Sequence, residues 1–118
     1  KAEALIMKEN ADLDAAADII DEVRARVELA KLPAATRNSK DAMLEALLKE
    51  RRLELAFEGE RWYDLVRLNK VEEVMNAVYA KDSGRKGQVN LFNEKSYRLP
   101  IPQGAIDQND NLVQNPGY

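Results

Sequence analysis

Lys49-Glu50-Arg51-Arg52-Leu53-Glu54-Leu55-Ala56-Phe57-Glu58-Gly59-Glu60-Arg61-Trp62-Tyr63-Asp64-Leu65-Val66-Arg67 is the stretch on which the reading of this chain depends. Charge is dense in it, yet an apolar residue falls on almost every turn. Extended back to Ser39 and wound as a helix at about 100° per residue, the segment as far as Phe57 carries two apolar stripes. Leu44, Leu47, Leu48 and Leu55 form one; Met43, Ala46, Leu53 and Phe57 form the other. Only the arc of Asp41, Glu45, Lys49, Arg52 and Ala56 is left for water. A helix apolar on two sides is packed on two sides, so the spacing predicts a central helix.

The same winding turns four charges inward. Arg51 lies within the leucine stripe, Glu54 and Glu58 beside it, and Glu50 in the second stripe. An unpaired buried charge is strongly unfavourable, so these groups require partners. Glu54 and Glu58 also stand at the end of the helix where the macrodipole disfavours acids. Arg61 and Arg67 follow just beyond Gly59, a residue suited to the left-handed position that ends a helix. The expectation is a semi-buried carboxylate–guanidinium network of Glu50, Arg51, Glu54, Glu58, Arg61, Asp64 and Arg67 tying the helix to the segment after it.

Outward from this centre, residues 1–9 read as the end of a helix that stops near Asn10. Asp12 or Asn10 caps a second helix running to about Ala30, with Leu13, Ala16, Ile20, Val23, Val27 and Ala30 at three–four spacing and Pro33 as its stop. Asp18, Glu22 and Arg26 share its outer face. Residues 1–38 thus form a helical pair, of the kind repeated in tetratricopeptide-like arrays. Thr36 to Ser39 reads as a loop, with Ser39 as N-cap and Asp41 in the first turn. Residues 39–80 hold the central helix, a short helix from about Glu60 to Leu68 bearing Trp62, Leu65 and Val66, and a further helix with a stripe of Val71, Val74, Met75 and Val78. From residue 81 the helical period fades. Gly84 to Gly87 reads as a basic turn, and Val89–Phe92 and Tyr97–Ile101 as short extended runs. Pro100 and Pro102 keep the latter off the middle of a sheet. The rest, to 118, is an extended, turn-rich tail whose Ile106, Leu112, Val113 and Tyr118 suggest pinning over the helices. The fold class is mostly α.

Among 118 residues, 45% are hydrophobic and 33% charged, with a formal net charge of -3. That suits one small domain or fragment, and it disfavours nucleic acid or an anionic membrane surface as partner. With neither histidine nor cysteine, disulfides, zinc sites built on sulfur or imidazole, thiol nucleophiles and histidine bases are excluded. No metal or other cofactor is called for. No apolar run reaches transmembrane length. Lys1 to Lys8 reads as mid-helix, so the expectation is the piece of a longer protein whose export signal or lipid-bearing cysteine lies outside these residues.

Glu50, Glu54 and Glu58 raise the question of a glycosidase-type acid and base. Such pairs come from separate elements facing a cleft, whereas these lie on one helix among arginines that would depress a general acid. No catalytic residue is assigned, and the chain is read as a non-enzyme. Trp62 and Tyr63 could stack on a sugar ring, although the helical spacing favours Trp62 as a core anchor and leaves Tyr63 outside. Tyr79, and with it Tyr97, are similar amphipathic candidates. Trp62, Tyr63 and Tyr79 are therefore the candidate ligand contacts. Arg85 and Lys86 between glycines lack the strand–loop–helix context of a phosphate loop and read as a solvated turn.

Glu50 to Arg67 resembles the C-terminal signature of the SusD/RagB family. A second, separate segment resembles that family's closing stretch: Tyr97-Arg98-Leu99-Pro100-Ile101-Pro102, then Asn109, Asn111-Leu112 and Gln114-Asn115-Pro116-Gly117-Tyr118. The resemblance implies a lipid-anchored protein on the cell-surface side of the outer membrane of Bacteroidetes-type bacteria. It would bind an oligosaccharide or other nutrient and lid a SusC-like TonB-dependent transporter, with the present chain as its C-terminal, mainly structural part. The resemblance transfers no ligand residue. The rival reading from the residues alone is a helical protein–protein interaction module without glycan binding.

Overall fold

The structure is a computed structural model; it describes residues 1–82, 84 and 91–118. The chain divides into two compact units, Lys1–Arg61 and Trp62–Tyr118. All regular structure among the described residues is helical, as the periodicity predicts. No helix among the described residues is long and apolar enough to cross a membrane.

The first unit is built from α1 (Ala2–Met7), α2 (Leu13–Ala25), α3 (Ala34–Arg37) and α4 (Lys40–Glu54). The Asp12 side chain accepts the Ala15 amide at 3.1 Å and caps α2. Ser39 does the same for α4 through Ala42, at 3.3 Å. Each such cap stabilises its helix by about 1 kcal/mol. Ala2 and Ile6 of α1, Ala16, Ala17 and Ile20 of α2, and Met43 and Leu47 of α4 meet in one buried cluster, flanked by Leu5, Leu13, Leu32 and Leu44. The alanines let α1 and α2 approach closely, so six residues suffice to seat α1 against both α2 and α4.

Three boundaries depart from the sequence reading. The second helix stops at Ala25, not Ala30. Glu28 adopts a left-handed φ of 58°, the Leu29 amide bonds the Arg24 carbonyl at 3.0 Å, and the Glu28 amide bonds Ala25 at 3.1 Å. These bonds make a Schellman stop that leaves Val27 exposed. In place of a loop at Thr36, Ala34–Arg37 forms a single helical turn, and Pro33 precedes it rather than ending α2. Proline suits that place because its missing amide would have no partner at a helix start. The central helix ends at Glu54, short of Phe57, whose φ of 69° and full exposure take it out of the second stripe. Leu53 is exposed too. The solvent arc of Asp41, Glu45, Lys49, Arg52 and Ala56 is exposed throughout, as the winding predicts.

In the second unit, α5 (Glu60–Arg67, which begins at the boundary) and α6 (Val71–Lys81) are joined by another Schellman turn. Asn69 takes the left-handed φ of 55°, and the Lys70 amide reaches the Leu65 carbonyl at 2.8 Å. Leu65 and Val71 are its buried apolar residues; Val78, at the far end of the α6 stripe, is exposed. Beyond α6 the described chain is not simply extended. Glu94–Tyr97 forms a 3-10 turn, and Gln103–Ile106 forms α7. No strand occurs among the described residues of the expected runs; Val89 and Asn90, like Arg85–Gly87, lie outside them.

Side chains supply the ties that a sheet would have given. Gln114 accepts the Ile101 amide at 2.8 Å and donates to the Ile101 carbonyl at 2.9 Å. Asn115 donates to the Leu99 carbonyl at 2.6 Å. The Tyr118 hydroxyl lies 3.0 Å from the Lys95 carbonyl and 3.3 Å from that of Arg98. Gly117, at a φ of 93°, makes this closure possible: a Cβ there would stand 2.8 Å from Lys95 Cγ. The tail is thus pinned through hydrogen bonds to residues 95–101, while Val113 stays exposed.

Candidate functional site

Two groups of side chains bear on function. The first is ionic and lies in the first unit. Glu50, 8% exposed, accepts from Arg24 Nη1 at 2.9 Å. Arg24 is held from behind, its Nε donating to the Ala30 carbonyl at 2.7 Å. Glu54, one turn on, pairs with Arg26. The guanidinium partners of these two acids therefore come from α2 and the residue following it. Of the other network candidates, Arg51 is half-buried, and Arg61 donates to the Leu48 carbonyl at 3.2 Å. Glu58 lies exposed on the turn after α4. In the second unit Asp64, buried, pairs with Arg67 of its own helix at 2.7 Å.

A second ionic cluster is not among the sequence candidates. Asp21 is 5% exposed; one carboxylate oxygen accepts the Leu32 amide at 2.8 Å and the other accepts from Arg37. Arg37 also bonds Asp18 at 3.1 Å and approaches Asp14 at 4.0 Å. Its pKa is raised above the ordinary arginine value, first by the Asp18 hydrogen bond and then by the charges of Asp21 and Asp18, against partial desolvation. The signal in the sequence was Asp21, which follows Ala17 at four residues on the line of small residues that α2 buries.

These carboxylates are occupied. Each Asp21 oxygen accepts a hydrogen bond, and Glu50 is paired with Arg24. No buried side-chain polar atom among the described residues lacks a hydrogen-bond partner. An apolar groove of about 170 Å³ does run between α2 and α4, lined by Ile19, Ile20, Val23, Leu47 and Leu55 with Glu50, Arg51 and Glu54 at its edge. The exposed lining of the groove is mostly apolar.

The second group is aromatic and lies in the second unit. Trp62 is 40% exposed instead of enclosed in a core; its ring meets Phe92 at 6.3 Å between centroids, tilted by 56°. Tyr79 meets the other side of that contact, edge-on to Phe92 at 5.1 Å and 79°. Tyr63 is 68% exposed, on the side expected of it. Two of the three candidate contacts, Trp62 and Tyr79, are thus gathered on one ring, Phe92, which no periodicity marked. Tyr97 stands apart, its hydroxyl accepting the Glu72 amide at the start of α6 at 3.3 Å. Half-exposed aromatic rings offer flat faces to the C–H side of a sugar or to a cation.

A model of the SusD family matches residues 1–118. SusD-like protein P2 of Formosa agariphila is 38% identical over 79 residues, covering 66% of this chain and 15% of that protein. SusD-like protein P38 of the same organism is 39% identical over 81 residues, 69% of this chain and 14% of its own length. The chain therefore spans about one seventh of the curated relatives it matches. No solved structure matches it.

Proposed function

The chain belongs to the SusD family, and from that premise we propose that it is the C-terminal, mainly structural part of a nutrient-binding outer-membrane protein. The whole protein, lipid-anchored on the cell-surface side, captures an oligosaccharide or other nutrient and passes it to a SusC-like TonB-dependent transporter. It binds without turning over its ligand. The observation that carries this reading is the family match across all 118 residues.

Within that protein the roles divide. Glu50, Arg51, Glu54, Glu58, Arg61, Asp64 and Arg67 serve architecture; the pairing of Glu50, Glu54 and Asp64 with arginines supports this. Trp62, Tyr63 and Tyr79 are the ligand contacts this chain has to offer, and the exposure of Trp62 and Tyr63 supports that.

The test is affinity purification of the tagged full-length protein from outer membranes, with affinity electrophoresis in gels cast with soluble polysaccharides. The expected result is co-purification of a TonB-dependent porin and retardation in at least one gel. A protein recovered alone and unretarded in every gel would leave the rival reading, a helical interaction module.

A further inference from the structure

Phe92 stands outside any helix, on a stretch with little core of its own, yet its backbone is gripped at both polar atoms. Asn76, on α6, donates from Nδ2 to the Phe92 carbonyl at 2.9 Å and accepts the Phe92 amide on Oδ1 at 3.1 Å. That is the pair of bonds one strand residue makes with another, here made by one side chain. It fixes both the position of Phe92 and the direction in which its ring leaves the backbone. The ring then contacts Tyr79, three residues after Asn76 on the same helix, and Trp62 on α5.

From this chain of contacts we propose that Asn76 is a positioning residue. Through Phe92 it sets the face that Trp62 and Tyr79 present to a ring-shaped, C–H-rich ligand such as a pyranose. The ligand half of this statement rests on the reading of Trp62 and Tyr79 as contacts; the positioning half does not. No single apolar residue of similar size replaces the clamp, because the function requires one donor and one acceptor on the same planar group. Aspartate replaces it only when protonated: ionised, it keeps the acceptor for the Phe92 amide but turns a second acceptor toward the Phe92 carbonyl.

Trp62 is the sole tryptophan of the 118 residues, so its near-ultraviolet circular dichroism and its quenching by acrylamide report on the surroundings of this one ring. In Asn76→Ala and Phe92→Leu the tryptophan band falls by about half or more and quenching rises about twofold, while far-ultraviolet helicity is kept. In Asn76→Asp the wild-type band returns as pH falls below about 4, near the ordinary aspartate pKa, with the wild type at each pH as control. A general loss of packing would give no such recovery. An Asn76→Ala chain with an unchanged Trp62 band, or an Asn76→Asp chain without recovery, overturns the positioning role. The ligand half is read from quenching of Trp62 by maltohexaose, cellohexaose and xylohexaose. Saturable quenching that weakens at least fivefold in Asn76→Ala supports it. Quenching that is equal in both proteins, or absent with all three sugars, overturns the ligand half and leaves the spectroscopic result to decide positioning.

Discussion

Arg24 and Glu50 form the bond that fastens α2 to α4: Nη1 lies 2.9 Å from Oε2, and the same guanidinium reaches back to the Ala30 carbonyl at 2.7 Å. One side chain therefore holds both the neighbouring helix and the turn that ends its own. Arg24→Met should be costly because it leaves Glu50 buried and unpaired. We expect a loss of about 2–3 kcal/mol in urea denaturation, below the full range for a buried pair since both groups retain some contact with water. Replacing both, as Arg24→Met with Glu50→Met, should recover at least half of that loss. Additive losses in the double-mutant cycle would show that the pair is not coupled.

Arg37 gives a prediction in pH. Its folded pKa is raised above the ordinary arginine value, so its stabilising contribution is fully present below that ordinary value and disappears only as pH rises through the folded pKa. Arg37→Lys places in the same cluster a cation that ordinarily loses its proton near pH 10.4. The variant should track the wild type at neutral pH and fall away from it above about pH 10. Thermal melting across pH 7–11, read as the difference between the two proteins, checks this; parallel curves would contradict it.

Phe57 supplies a test of opposite sign. It is fully exposed at a left-handed φ of 69°, a conformation that disfavours a bulky side chain by about 1–2 kcal/mol. Phe57→Asn should raise the stability of the 118-residue chain by about 0.5–1 kcal/mol in urea denaturation. A clear destabilisation would mean that this ring is covered in solution.

Tyr118 closes the tail through its hydroxyl, which reaches the Lys95 and Arg98 carbonyls, while its ring lies under the Lys95 ammonium at 5.3 Å. Tyr118→Phe removes those bonds and keeps the ring beside Lys95, so local stability should drop by about 1 kcal/mol. Hydrogen exchange should quicken about fivefold at the Arg98 and Tyr118 amides and stay unchanged in α2 and α4. Gln114→Ala should show the same at the Ile101 amide. Equal exchange in variant and wild type would mean the tail is held by something other than these clamps.

Much of this architecture could be read from the chain. Local chemistry was legible: Asp12 and Ser39 as caps and the exposed arc from Asp41 to Ala56 follow from residue type and spacing. What depended on another segment was not. Periodicity runs on through Val27 and Phe57, but α2 is stopped by the turn at Glu28 and α4 by Phe57 leaving the helical region. Partners for Glu50 and Glu54 were sought along the sequence toward Arg61 and Arg67, because spacing sees only neighbours; the register between α2 and α4 brings Arg24 and Arg26 instead. Asp21 was passed over for the same reason. Its partners, Leu32 and Arg37, lie across a turn. Of the aromatic group, Trp62, Tyr63 and Tyr79 were singled out by type, while Phe92 acquires its importance only from the grip of Asn76.

That grip, with its counterpart at Gln114, implies different responses of the two regions to ionic strength. The bonds from α2 to α4 join full charges, one pair of them well exposed, so added salt should loosen them as it shortens the range of attraction. Neutral amides clasping Phe92 and Ile101 carry no net charge to screen, and a protein raised from fresh water to brine should keep that clasp unchanged.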